Sequence, residues 1–175
     1  QRQMCIRDRN YTALRRAISA YTGAPAEHIL VGNGSTELIS AGIQAVHPKD
    51  AVVLGPAYSE YERELSLVGS RMHYYDLKAS EDFHLDVEDL EKFITEDIFS
   101  HDTDTIPGKS IPCLPQLLVL CNPNNPTGQT TEKELLIRVM NRCNKCGTIL
   151  VLDECFIEFL EEPCLLYTSP SPRDS

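Results

Sequence analysis

What the chain lacks narrows its identity first. No apolar run approaches the ~20 residues that a membrane span requires, and the opening residues have no apolar core of the kind a secretory signal carries. Basic charge is scarce, with 16 Lys and Arg against 26 Asp and Glu and a formal net charge of −10. A protein that grips a phosphate backbone needs a basic stripe, so no nucleic-acid partner and no membrane partner are expected. There is no internal repeat. With 42% hydrophobic and 24% charged residues over 175 positions, the composition is that of one globular domain with a core, not of a collagen-like, low-complexity or wholly disordered chain.

Paired metal-ligand spacing is also missing. The seven cysteines (Cys5, Cys113, Cys121, Cys143, Cys146, Cys155 and Cys164) are an odd number without an export signal, which sets the expectation of reduced thiols and a cytoplasmic location. Cys143 and Cys146 form a C-x-x-C, but no second pair accompanies it, and the five histidines show no ligand spacing. The pair falls in the last turn of an expected helix over 132–146, ended by Gly147. No metal is expected.

What is present is an alternation of short apolar runs with amphipathic stretches. His28 to Val31, Ala51 to Leu54, Arg71 to Leu77, Leu117 to Cys121 and Ile149 to Leu152 read as strands. Between them, Ser35 to Val46, the Tyr58–Tyr61–Leu65–Val68 series and the stretch after Asp86 carry helical spacing, Asp86 serving as cap with Leu85 placed for a staple. Thr131 and Glu134 suggest a capping box for the helix over 132–146, and 95–115 reads as a long surface loop. This alternation predicts an α/β sandwich with a mainly parallel sheet, whose ligands bind outside the carboxyl ends of the strands.

Three polar clusters sit at such ends. Gly32 to Glu37 turns tightly into a helix, so the amides of Ser35 and Thr36 offer either a phosphate site or a plain helix start; the G-x-G-x-x-G spacing of a dinucleotide fold is absent. Asn122-Pro123-Asn124-Asn125-Pro126-Thr127-Gly128 is a constrained turn expected to face the amides of Asn124 and Asn125 into the crevice. Asp153 ends an apolar run, where a carboxylate is costly unless a donor or cation meets it; a solvated strand end is the alternative.

Taken in order, the glycine turn, Tyr58, the Asn-Pro turn and the strand-end Asp153 resemble the large domain of fold-type I pyridoxal-phosphate enzymes of the aminotransferase class I/II group. The resemblance covers roughly residues 10–162 and rests on I-L-V-G-N-G-S-T-E-L-I, Y-S-E-Y-E-R, L-C-N-P-N-N-P-T-G and L-D-E-C-F-I-E-F. It implies a three-layer αβα sandwich, pyridoxal 5′-phosphate as cofactor, a small phosphorylated amino-acid substrate and a homodimer. Carried over, it has Ser35 and Thr36 hold the cofactor phosphate, Tyr58 stack on the ring (spacing alone makes it a core aromatic), Asn125 donate to the ring O3′, and Asp153 pair with the pyridinium nitrogen.

Within the group the strings look most like the branch that decarboxylates L-threonine O-3-phosphate to aminopropanol phosphate in cobalamin biosynthesis. The branch that transaminates histidinol phosphate comes next, and a noncatalytic module keeping the fold is a third possibility. Phe156 stands where aminotransferases of the group usually have Tyr, which favours decarboxylation. Residues 1–9 and 163–175 resemble translated sequencing adapter and are expected to be non-native tails, making 10–162 a partial cofactor-binding domain. The group's cofactor-linking lysine follows the strand-end Asp, whereas the six lysines here (Lys49, Lys78, Lys92, Lys109, Lys133 and Lys145) all precede Asp153, so the chain itself is expected to be inactive.

Overall fold

A computed structural model gives the fold and describes residues 10–95 and 114–160. Four strands, β1 (Asp50–Gly55), β2 (Arg71–Asp76), β3 (Leu117–Cys121) and β4 (Ile149–Asp153), form one sheet in the order β2-β1-β3-β4. Every pairing is parallel. The central strands β1 and β3 are buried at every position. That is why they read as unbroken apolar runs: a strand covered on both faces has no solvent side to keep polar.

Side-chain alternation divides the core in two. Ala51, Val53, Leu117, Val119 and Cys121 face one way, against Ile39 and Ile43 of α2 (Ser35–Val46) and Tyr61 and Leu65 of α3 (Ser59–Leu67). Val52, Leu54, Leu118 and Leu120 face the other way, against Leu90 of α4 (Val87–Phe93) and Leu136 and Val139 of α5 (Lys133–Cys146). Helices on both faces of a parallel sheet make the expected αβα sandwich. α4 starts as its sequence indicates, with the Asp86 carboxylate accepting from the amides of Glu88 (2.9 Å) and Asp89 (3.0 Å) and Leu85 packed on the core. α5 ends at Gly147 in the left-handed region, φ 74°, and buries Cys143, so the C-x-x-C is a core-facing last turn.

Two expectations are corrected, and one helix was not foreseen. His28 to Val31 is no strand: Ala26–His28 is a 3-10 turn, the chain then runs on without a ladder partner among the described residues, and Leu30 is 70% exposed. Apolar residues alone do not make a strand: the segment pairs with neither open edge of the sheet, at β2 or at β4. The Thr131–Glu134 capping box does not form. Glu132 is the cap position and no side chain caps α5, because Thr131 donates its amide to Asn122 Oδ1 (2.8 Å) and belongs to the preceding turn. An eleven-residue helix that the sequence pattern did not single out, α1 (Thr12–Thr22), precedes the sandwich and buries none of its residues. The expected tails at 1–9 and 163–175 lie outside the described residues, as does nearly all of the expected loop.

Candidate active site

Strand order locates the crevice. From β1 the chain passes to β2 on one side, then returns across β1 to β3 on the other, so the turns leaving β1 and β3 diverge at their carboxyl ends. β1 closes at Gly55, where a Cβ would lie 2.8 Å from Asp76 Oδ1 and the Asp76 side chain would have to turn aside. The turn after β3 is built around Asn124, which is buried. Its carboxamide donates to the Pro56 carbonyl (3.2 Å) and to Thr127 Oγ1 (2.9 Å), and its backbone amide to the Gln129 carbonyl (2.8 Å). Asn124 therefore stitches the two turns together while lining, with Asn125, the cavity beside them. Asn125 is half-buried and lines a cavity of about 320 Å³ with Pro123, Gly128, Phe156 and Phe159.

Asp153 ends β4 beside Cys121, its register partner on β3. Its cost of burial is met by two donors. The Tyr61 hydroxyl donates to Oδ2 at 2.6 Å, and the Cys155 amide donates to Oδ1 at 3.0 Å. Tyr61 is 1% exposed, and burial, reinforced by the Asp153 carboxylate, pushes its phenol far above the ordinary tyrosine range, so it remains a donor at any working pH. Burial raises the Cys121 thiol, which donates to the Pro123 carbonyl at 3.1 Å. Burial and then Asp153 push the Cys155 thiol up to about 12. One ligand-capable atom each of Cys121, Asp153 and Cys155 lies within 4.8 Å of the others.

Tyr58 is the residue before α3, half-buried, with its ring edge-on to Tyr61 at 5.7 Å between centroids and 87° between planes. Ser35 and Thr36 open α2. Because the end of that helix leads into the amino end of β1, its start points to the carboxyl edge of the sheet. The preceding residue, Gly34, has φ 89° and gives no side-chain cap, and the Asn33 amide is met by the Glu37 carboxylate. An anionic oxygen thus already sits on this turn, and no hydrogen bond joins Ser35 or Thr36 to the Asp153 group among the described residues. Tyr61 is the site residue that sequence reasoning missed; its only signal was a hydroxyl on a buried helical position, which needs a partner somewhere. A larger groove of about 470 Å³ lies on the outer face of α4 and α5, where Arg138 pairs with Glu91 at 2.7 Å, away from the strand ends.

A parallel sheet between helical layers, with a carboxylate and two polar turns at the edge where strand order reverses, defines an α/β domain with a crevice at its strand ends. The family model for aminotransferase class I and II matches residues 6–171, and the chain belongs to that family, a group of pyridoxal-phosphate-dependent enzymes. It is 33% identical over 153 residues to threonine-phosphate decarboxylase of Salmonella typhimurium, covering 87% of this chain and 37% of that protein. It is 36% identical over 156 residues to histidinol-phosphate aminotransferase of Desulfitobacterium hafniense, covering 85% and 38%. The solved histidinol-phosphate aminotransferase of Clostridium acetobutylicum matches with a TM-score of 0.68 and 27% identity, over 88% of this chain and 39% of that one. The chain thus spans well under half the length of the curated relatives it matches.

Proposed function

We propose that this chain supplies the cofactor-binding part of a homodimeric enzyme that decarboxylates L-threonine O-3-phosphate to aminopropanol phosphate. The observation that supports cofactor binding is the strand-end Asp153, whose carboxylate is held on both oxygens. The donor set fits pyridoxal phosphate: uncapped amides at Ser35 and Thr36 for the phosphate, an aromatic face at Tyr58, a carboxamide at Asn125 and an anionic acceptor at Asp153. When bound, that cofactor supplies an electron-accepting ring for the electrons released as a bond to the substrate Cα breaks. Asp153 would keep a proton on the ring nitrogen, while Tyr61 and the Cys155 amide hold the carboxylate in place. In the overall reaction the Cα–carboxylate bond breaks, CO₂ leaves and a proton takes its place on Cα.

Phe156 supports decarboxylation over amino transfer. It lines the same cavity as Asn125, where a tyrosine would add a second hydroxyl donor. The second reading, amino transfer from histidinol phosphate, is favoured by the 36% identity to an aminotransferase. In the longer protein containing this sequence, CO₂ should be released from L-threonine O-3-phosphate, with slow amino transfer from histidinol phosphate to 2-oxoglutarate. Rapid amino transfer without CO₂ would reverse the assignment.

The 175-residue chain is read as inactive by itself. Lys49 precedes β1 at the amino edge, Lys78 pairs with Glu81 at 3.2 Å, Lys92 is on α4, and Lys133 and Lys145 are on α5; Lys109 lies outside the described residues. Incubation with pyridoxal phosphate followed by borohydride reduction should leave no single stoichiometric lysine adduct by mass spectrometry. Such an adduct accompanied by turnover would overturn this reading.

A further inference from the structure

We propose that Asn33 is a site of spontaneous covalent modification, losing its carboxamide through ring closure with the Gly34 amide and leaving a carboxylate on the turn that opens α2. The reaction needs a backbone nitrogen free to attack, room around it and a carboxamide not tied elsewhere. All three meet at this turn. Asn33 and Gly34 are exposed, and neither the Asn33 carboxamide nor the Gly34 amide has a hydrogen-bond partner among the described residues. Gly34 has φ 89°, and nothing lies within 4 Å of where a Cβ on it would stand, so its nitrogen is open to approach.

Each of the other asparagines lacks one requirement. Asn122 and Asn125 precede prolines, which carry no N–H. Asn124 is buried, and its carboxamide is spent on the Pro56 carbonyl and Thr127 Oγ1. Asn141 and Asn144 lie inside α5, where the amides of Arg142 and Lys145 donate one turn back along the helix. Asn10 is followed by Tyr11, whose side chain crowds the amide that would attack. At Asn33, ring closure joins the Gly34 nitrogen to the Asn33 Cγ, and ammonia leaves with the Gly34 amide proton. Water then opens the ring at either carbonyl, giving aspartate or isoaspartate at position 33 with no change of oxidation state. Both products add a negative charge beside the Glu37 carboxylate, which already holds the Asn33 amide, and isoaspartate also adds a methylene to the main chain ahead of Ser35 and Thr36. A carboxylate is favoured at a helix start, so it competes with a phosphate for the same amides. On the proposed assignment of those amides to the cofactor phosphate, on which this consequence alone rests, conversion lowers cofactor affinity and a seated phosphate slows conversion.

The test incubates the longer protein containing this sequence, stripped of cofactor, at neutral pH, both folded and unfolded in urea. Peptide mapping by mass spectrometry follows every asparagine, and electron-transfer fragmentation separates isoaspartate from aspartate. In the folded protein Asn33 should convert at close to its rate in urea, ahead of every other asparagine, with isoaspartate among the products. Asn33→Gln, whose longer side chain closes a larger and less favoured ring, should abolish the mass gain in that peptide. Strong protection of Asn33 by folding, faster conversion at another asparagine, or a mass gain that survives in Asn33→Gln would overturn the site. A parallel sample loaded with pyridoxal phosphate separates the site from its consequence. Slower conversion there supports both, whereas an unchanged rate upholds the modification site and removes the phosphate role of Ser35 and Thr36.

Discussion

Tyr61 uses one side chain for two purposes: its ring fills the core under β1 and β3, and its hydroxyl meets the carboxylate of Asp153. Tyr61→Phe keeps the ring and removes only the donor, so no cavity opens and the cost is that of a hydrogen bond to a charged group, about 1.5–3 kcal/mol. The half-exposed carboxylate can recruit water, which sets the expectation at the lower end of that range. Urea unfolding of the two chains measures it, and coincident midpoints would mean that the contact adds nothing to stability. At this scale Asp153 stood out as a carboxylate directly after an apolar run, whereas Asn125 and Tyr58 were singled out through the family resemblance. The sequence could not announce Tyr61, whose partner lies 92 positions away. Nor could it separate Asn124 from Asn125, since a carboxamide serves a turn as readily as a ligand and only the path of the neighbouring turn decides which.

Among the elements, β1 and β2 are locked at their amino ends by a buried acid. Asp50 is 2% exposed; Arg71 donates to it through Nε at 2.9 Å and Nη2 at 2.8 Å, and His73 Nε2 lies at 3.0 Å. Burial alone would raise the Asp50 carboxyl, but the Arg71 and His73 hydrogen bonds outweigh it and hold the group below its ordinary 3.8. Because the folded value is depressed, the resulting stability is present in full above the unfolded value and is lost as pH falls through the folded one. The stability gap between the natural chain and Asp50→Asn should be constant above pH ~4 and narrow below it in urea titrations. A gap independent of pH would show that the ion pair is not the lock. The strands β1, β3 and β4 were legible because four or more apolar residues in a row have few other uses. His28 to Val31 was misread for the same reason: apolarity states what a segment tolerates, not whether a ladder partner exists. The start of α5 was misread because Thr131 had two uses for its backbone, and the Asn-Pro turn took it.

For the molecule as a whole, layer architecture and family were legible, since alternating apolar runs and helices admit few arrangements and the four motif strings fall in a fixed order. Strand order was not, because nothing in periodicity says that β3 returns to the far side of β1. That all-parallel order bears on how the chain finds its shape in time. No two strands can meet through a tight hairpin, so every rung of the ladder waits on loop closure. The two shorter closures, β1 with β2 through α3 and β3 with β4 through α5, should form first as separate nuclei, and the seam between β1 and β3 should zip last. Three amides report the order: Arg71, donated to Lys49, Ile149, donated to Gln116, and Gln116, donated to Asp50. In refolding followed by pulsed hydrogen exchange, Arg71 and Ile149 should gain protection before Gln116. Earlier protection of Gln116 would mean that the nucleus spans the seam and that the crevice at the strand ends is shaped at the outset of folding, not at its end.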